Sequence, residues 1–371
     1  MKIVYLSHYY PPEMGAPAAR VSAFARRWAR AGHDVTVLTT FPNHPTGVIP
    51  PEYRGRLFQE EEDQGVRVVR TYLYAAPNKG IVKRSLCYAS FMISSVVQGY
   101  GPIGRPDVLV ASSPQFLALL SGWALTRLRP APFVAEIRDL WPDSIVAVGA
   151  LPETSPVVRG LSRLERFVYA QADLTISVTR SFVPLLAARG AGRTVVVPNG
   201  ADTSQFSVAS DREELRRRFG VSGRFVASFT GTLGMAHGLD NVRFEGQVPR
   251  GDVPAVLAAS DVALVLLRPT PLFDTVLPSK MFEAMAAACP VILGVRGEAK
   301  DVLRDSGAGI AVEPGSPPEL ARAVSLLAGE PEERRRLGEA GRRFVSERFN
   351  HDALAARYLE ALAELVDGRG R

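Results

Sequence analysis

The sequence predicts an α/β protein built from two doubly wound, mostly parallel sheets. Short apolar strand-like runs alternate with longer helix-periodic segments, the pattern that parallel strands with crossover helices impose. The alternation falls into two series, separated near the turn-forming run Pro198-Asn199-Gly200. A chain of 371 residues with 46% apolar content can also bury two cores of ordinary domain size.

The first series opens with a strand at 3–6 and a loop rich in proline and glycine at 10–17. A helix follows that carries Val21, Phe24, Trp28 and Ala29 on one face and stops at Gly32. Further strands are expected at 35–39, 66–71, 108–111, 133–137, 174–178 and 195–197, with helices between most of them. The second series begins with a helix introduced by a capping box, Ser210 with Glu213, and stopped by Gly220. Its strands are expected at 224–230, 242–244, 262–267, 291–293 and 309–312, with a second capping box at Ser316 and Glu319. Long helices run from Pro331 onward, the last over 352–366.

Charge and cysteine usage exclude several classes. The net charge of +6 comes from 44 basic against 38 acidic side chains, without a long basic run or a basic stretch interleaved with aromatics, so no nucleic-acid partner is expected. Membrane phosphate or an anionic substrate remains. Cys87 and Cys289 lie far apart inside apolar helical patterns and without metal-ligand spacing, which reads as two buried thiols in a reducing compartment. Met1-Lys2 leads directly into the first strand, leaving no room for a signal peptide, and no apolar run reaches the ~18 residues that span a bilayer. A cytoplasmic protein is expected, peripheral at the inner face of the cell membrane.

The stretch 278–292, PSKMFEAMAAACPVI, is the most informative. Ser279 reads as a natural N-cap, Lys280 puts a cation in the first turn, and Glu283 follows on the same face before Cys289-Pro290 ends the helix. A helix start offering amides, a hydroxyl and a lysine suits a diphosphate. An ordinary helix packed on a sheet through Met281, Phe282 and Met285 is the plainer reading. The segment is similar to the donor-site signature of retaining glycosyltransferases of family 4. Glu283 matches the second glutamate of that signature, which the resemblance implies holds ribose hydroxyls of a nucleotide. The first glutamate would fall at Thr275 and is absent. A subgroup carrying Pro-Ser-Lys here shares that departure, typified by L-fucosamine-type aminodeoxysugar transferases that build bacterial surface polysaccharides.

The resemblance implies the GT-B architecture, two Rossmann-like domains facing across a cleft. Residues 1–197 would bind the acceptor, with a C-terminal helix, 352–371, crossing back to them, and residues 198–351 would bind the nucleotide sugar. Open parallel sheets place ligands at the carboxyl ends of their strands, and five loops fall there. Gly15, in the first, lets backbone approach a ligand at a helix start and resembles the family's glycine-bearing loop near donor phosphates and acceptor; a structural turn is the alternative. Glu136, Arg138 and Asp139 leave the strand at 133–137, a costly set of charges to bury unless paired. Asp139 is the first candidate to contact the reacting sugar or incoming hydroxyl and Glu136 the second; a local Arg138-Asp139 pair is the plainer account. Gly231, Thr232 and His237 lie in a run that resembles the family's phosphate loop, but Thr232 and His237 stand where the family has arginine and lysine. Leaving-group charge would then fall on Lys280, on amides and on His237 when protonated. His44, in the loop after the second strand, faces the acceptor on this reading, unless that proline-rich connector carries no chemistry.

Between 224–230 and 242–244 only eleven residues intervene, too few for a parallel crossover and a few tens fewer than the family has. The second domain therefore lacks a segment at Leu239/Asp240, through a deletion or because further chain belongs there. Lys79, Lys83 and Arg84 precede Leu86, Tyr88, Phe91, Met92, Ile93 and Val96, an order suited to a peripheral membrane contact or to a core-facing helix with a solvated start.

The resemblance implies transfer of a sugar from a nucleotide diphosphate sugar, UDP among the nucleotides it allows, to an acceptor hydroxyl with retention, and a lipid-linked saccharide suits such an acceptor. No Asp-x-Asp motif occurs, so no metal or other cofactor is expected. The alternatives are a nucleotide-sugar epimerase of the same architecture and a catalytically impaired nucleotide-binding partner.

Overall fold

Strands that read as continuous apolar runs form the interior of the first sheet, because a parallel strand is covered on both faces. A computed structural model of the protein describes residues 1–44, 46–76, 81–206, 211–230, 246 and 248–369. By its contacts the chain divides into two units, Met1–Val197 with Ala355–Arg371, and Pro198–Leu354.

The first unit runs β1 (Lys2–Ser7), α1 (Ala16–Arg30), β2 (Asp34–Thr40), β3 (Phe58–Asp63), β4 (Val66–Thr71), α2 (Ile81–Gly99), β5 (Val108–Ser112), α3 (Leu117–Leu128), β6 (Phe133–Ile137), α4 (Asp143–Ala147), α5 (Pro156–Gln171), β7 (Leu174–Ser177), α6 (Phe182–Ala188) and β8 (Thr194–Val196). Its eight strands are ordered β3-β4-β2-β1-β5-β6-β7-β8, all parallel except β3, which pairs antiparallel to β4. The order reverses direction between β1 and β5, and the loops leaving those strands frame the crevice where such sheets hold ligands.

The second unit contributes α7 (Arg212–Arg218), β9 (Ala227–Ser228), α8 (Val253–Ala259), β10 (Val262–Leu266), α9 (Ser279–Ala286), β11 (Val291–Gly294), α10 (Glu298–Ser306), β12 (Gly309–Ala311), α11 (Pro317–Gly329) and α12 (Pro331–Arg348). Its four described strands are parallel in the order β12-β11-β10-β9. Met281, Phe282 and Met285 of α9 lie in one buried cluster with Val265, Val291 and Leu293 of the sheet. The last helix, α13 (His351–Arg369), belongs to the first unit from Ala355 onward. There Tyr358 meets Trp28 edge-on at 5.1 Å, and Trp28 Nε1 donates to the Ala355 carbonyl at 3.0 Å.

Several local expectations are corrected. The N-cap of α9 is Pro278, with Ser279 as the first helical residue and no side-chain cap. The cap of α7 is Asp211, whose carboxylate accepts the Glu214 amide; Ser210 lies outside the described residues. Ser316 occupies the N-cap of α11 without capping it, and Glu319 instead accepts the Glu313 amide at 2.8 Å. Cys289 is buried but outside the helix, because α9 ends at Ala286 and Ala288 turns at φ 53. The expected strand 224–230 shrinks to β9, since the carboxylate of Asp261 takes the Val226 amide at 2.7 Å in place of a ladder bond. The expected strand 242–244 and the Leu239/Asp240 junction lie outside the described residues.

Candidate functional site

At the carboxyl edge of the first sheet, the loop leaving β1 reaches α1 through Gly15, whose φ of 134 is a conformation that side chains rarely adopt. Two residues earlier, Glu13 is buried and its Oε1 accepts the backbone amides of Asn43 at 2.8 Å and His44 at 2.9 Å. The loops after β1 and β2 are thereby held together. Burial pushes the Glu13 carboxyl up to about 7, against the pull of those two amides.

Glu136, expected as a candidate beside Asp139, is instead enclosed by its own fold. It sits within β6 at 0% exposure, where Arg20 donates to it at 2.9 Å, Tyr5 at 2.7 Å and Ser112 at 2.5 Å. Burial works to raise its pKa, but the charges of Arg20 and Arg138 and the two hydroxyls outweigh it and hold the pKa below the ordinary carboxylate value. A carboxylate with its lone pairs so occupied has little left for a ligand.

Arg138 and Asp139 lie just past the strand end and are half-buried. The Arg138 amide donates to Ser113 Oγ at 2.7 Å, while its Nε and Nη1 are buried without a hydrogen-bond partner. Burial raises the Asp139 carboxyl to about 6, opposed by the charge of Arg138. The loop beyond is braced by Arg189, which pairs with Asp143 of α4 and with the buried Glu165 of α5. Orphaned guanidinium donors beside a carboxylate that titrates near neutrality can bind an anionic or hydroxylated ligand and exchange a proton with it.

In the second unit, α9 starts after the long loop leaving β10, so its N-terminus lies at the carboxyl edge of that sheet. Lys280 Nζ stands 3.7 Å from the centre of the Phe229 ring. Its pKa falls to about 8 through burial, with Glu283 working the other way. Glu283 lies 3.5 Å from Arg250, and its pKa is raised by burial against the pull of Arg250 and Lys280. Thr275, at the position of the missing glutamate, donates its hydroxyl to the Leu272 carbonyl at 2.6 Å. Gly297, which precedes α10, is tied to the same loop: a Cβ there would lie 1.9 Å from the Asp274 carbonyl oxygen. Arg250 and Gly297 escaped the sequence reading. A Gly-Glu pair opening a helix after β11 was the available signal for the second, whereas nothing local announces the first.

Thus Lys280, Glu283 and Ser279 come together in the second unit, and Gly15, His44, Arg138 and Asp139 occupy the carboxyl edge of the first. Gly231, Thr232 and His237 lie outside the described residues. Among the described residues no group of three His, Cys, Asp or Glu side chains is placed to hold a metal ion.

Residues 15–200 match the family described as glycosyl transferase 4-like domain. The chain belongs to this family. Residues 233–344 match a second family model, glycosyl transferases group 1. This family member is 24% identical over 254 residues to WcaI of Escherichia coli K12, a glycosyl transferase named for colanic acid biosynthesis, covering 65% of the present chain and 61% of that protein. The match therefore spans less than two thirds of that relative. In fold the chain is similar to sucrose-phosphate synthase from Thermosynechococcus elongatus, with TM-score 0.76, 18% identity and 99% of each chain covered. It is also similar to Anabaena HepE in complex with UDP and glucose, with TM-score 0.72, 17% identity, and 98% and 99% of the two chains covered. These likenesses identify the two-domain α/β arrangement with parallel sheets as GT-B.

Proposed function

We propose that the protein is a retaining glycosyltransferase that moves a sugar from a nucleotide diphosphate sugar to an acceptor hydroxyl in bacterial surface-polysaccharide biosynthesis. The observation that carries this is the pair Lys280 and Glu283 on one face of α9, at the carboxyl edge of the second sheet. The second unit would hold the donor and the first the acceptor. Glu283 would accept ribose hydroxyls, exchanging its contact with Arg250 for them. The Lys280 ammonium and nearby amides would carry the charge that develops on the departing diphosphate. In the transfer the bond from the anomeric carbon to phosphate breaks and a bond to the acceptor oxygen forms on the same face. The acceptor proton passes to the leaving phosphate oxygen or to Asp139.

The membership in the glycosyl transferase 4-like family supports this reading, as does a UDP-binding neighbour of the same fold. Pro278-Ser279-Lys280 with no glutamate at 275 favours an aminodeoxysugar of L-fucosamine type as the group transferred. A lipid-linked acceptor fits the exposed apolar side chains Leu86, Ile93 and Val97 of α2, below the exposed Lys83, and with it a place at the inner face of the membrane. No helix among the described residues is long and apolar enough to cross a membrane.

The test is a panel of UDP-, GDP- and dTDP-sugars incubated with the protein and a saccharide on polyprenyl diphosphate. Transfer with the donor's anomeric configuration kept is expected. Isomerisation of a nucleotide sugar without acceptor would make the protein an epimerase, and binding without turnover would make it a nucleotide-binding partner.

A further inference from the structure

At the carboxyl ends of β1 and β2, His44 belongs to a cluster whose other members have no part in the groups above. His8, directly after β1, is 2% exposed, and its Nδ1 has no hydrogen-bond partner. The rings of Tyr9, Tyr88 and Phe91 stand edge-on to it at 4.7, 5.4 and 5.0 Å. Tyr9 in turn meets His44 edge-on at 5.5 Å. Arg84, one turn before Tyr88 on α2, donates its Nε proton to the Tyr88 hydroxyl at 3.1 Å and lies 5.5 Å from the ring centre. Its side chain is exposed, and among the described residues it has no carboxylate partner.

Each part suits a different portion of one ligand. Aromatic rings pack against the C–H face of a pyranose. A buried nitrogen without a partner calls for a polar group, and a hydroxyl would supply it. A guanidinium fixed by one donor still has the forked pair that phosphate oxygens accept. Burial, and secondarily the neighbouring His44, brings the His8 pKa down to about 3, so its ring stays neutral and able to exchange hydrogen bonds with a sugar.

We infer that His8, Tyr9, His44, Tyr88 and Arg84 form the acceptor pocket, and that the acceptor is a pyranose bearing a phosphate or diphosphate on its anomeric carbon. This rests on the transferase reading and specifies its acceptor side. The phosphate would come either from a polyprenyl diphosphate or from a free sugar phosphate.

The full chain is to be titrated with glucose 1-phosphate, galactose 1-phosphate and N-acetylglucosamine 1-phosphate, with the matching free sugars, and with the best binder carried on a short polyprenyl diphosphate. At least one sugar phosphate should bind tenfold or more tightly than its free sugar and shift the imidazole signals of His8 and His44. Arg84→Gln should abolish that preference at an unchanged melting temperature, since the side chain is exposed. Tighter binding of the polyprenyl form would assign the lipid source and equal binding the free sugar phosphate, and either keeps the pocket. Equal binding of phosphorylated and free sugars, no binding of any, or a preference that survives Arg84→Gln overturns it. UDP, GDP and dTDP titrated into the same samples separate the two readings: a nucleotide that binds while the sugar phosphates do not refutes only the pocket, and failure of all three nucleotides to bind refutes the transferase.

Discussion

The ammonium of Lys280 lies 3.7 Å from the centre of the Phe229 ring, so the cation that opens α9 is held by a π face as well as by its neighbour Glu283. An aromatic face returns only part of what a lysine loses when it leaves water. The result is a cation whose pKa is lowered to about 8 and which would gain most from a diphosphate.

UDP binding should therefore take up a proton at pH 8.5, where the free protein has released a large share of the Lys280 proton. Calorimetric heats measured in two buffers of different ionisation enthalpy should differ, and Lys280→Met should remove the difference and weaken UDP about tenfold. The sign for folding is opposite. Between about 8 and the ordinary value of 10.5 the unfolded chain binds the proton that the folded chain has lost, so this lysine makes stability rise with pH there. Heats that are independent of buffer would place Lys280 away from the diphosphate.

Glu283→Ala should weaken nucleotide binding while moving the melting temperature by only a few degrees. Its contact with Arg250 at 3.5 Å involves side chains 43% and 21% exposed, and such a pair contributes about 1 kcal/mol or less. A large fall in stability with nucleotide affinity unchanged would return the residue to a structural role.

Glu13 gives a folding prediction with a defined window. Its pKa in the folded protein is near 7 against an ordinary 4.5, so between those values the folded chain binds more protons and stability falls as pH rises. Glu13→Gln keeps an oxygen for the Asn43 and His44 amides without the charge. The variant's stability relative to the parent should grow between pH 4 and 8, by as much as ~3 kcal/mol. Urea melts across that range measure it, and a pH-independent difference would mean that Glu13 titrates normally.

How much of this was legible depended on where each contact came from. The strands at Val66–Thr71 and Phe133–Ile137 were bounded correctly because apolar and β-branched residues dominate them, VRVVRT and FVAEI, with Arg67, Arg70 and Glu136 as the charged exceptions. Phe58–Asp63 escaped notice because its sequence, FQEEED, has the composition of a solvated loop. It is an edge strand whose acids pair across the ladder, Glu60 with Arg67 and Glu61 with Arg70. Lys280 and Glu283 were visible from spacing along one helix. Arg250 was not, since its approach to Glu283 is set by tertiary structure alone. Glu136 misled for the same reason: its partner Arg20 is 116 residues away, and a paired buried acid looks like a site acid until the pairing is seen.

Asp139 is the carboxylate left at that strand end. Asp139→Asn should lower turnover about 10²-fold with donor affinity nearly unchanged, because the amide keeps the shape but cannot take a proton. Parent activity should also decline as pH falls through about 6, where the carboxylate is protonated, and the variant should lack that limb. Unaltered turnover would remove Asp139 from the chemistry.

One face of α2 packs against the core, Phe91 of the apolar positions expected at a membrane included, and a membrane contact is proposed for the exposed face. Cys87 and Phe91 are buried, while Leu86, Ile93 and Val97 are 53%, 59% and 71% exposed and lie seven and four residues apart on one stripe. Lys83 lies at the same end as Leu86, and Lys79 falls outside the described residues. Apolar insertion and attraction to anionic headgroups should then act together. Binding to vesicles containing an anionic lipid should weaken with added salt and on Lys83→Glu, and should be lost in the double variant Ile93→Asp, Val97→Asp. Because both aliphatic side chains already face solvent, that variant should fold with an unchanged melting temperature, so lost binding can be read as lost contact. Equal binding to neutral vesicles would leave only the apolar stripe as the contact, and no binding to either would make α2 a helix whose outer face serves some other partner.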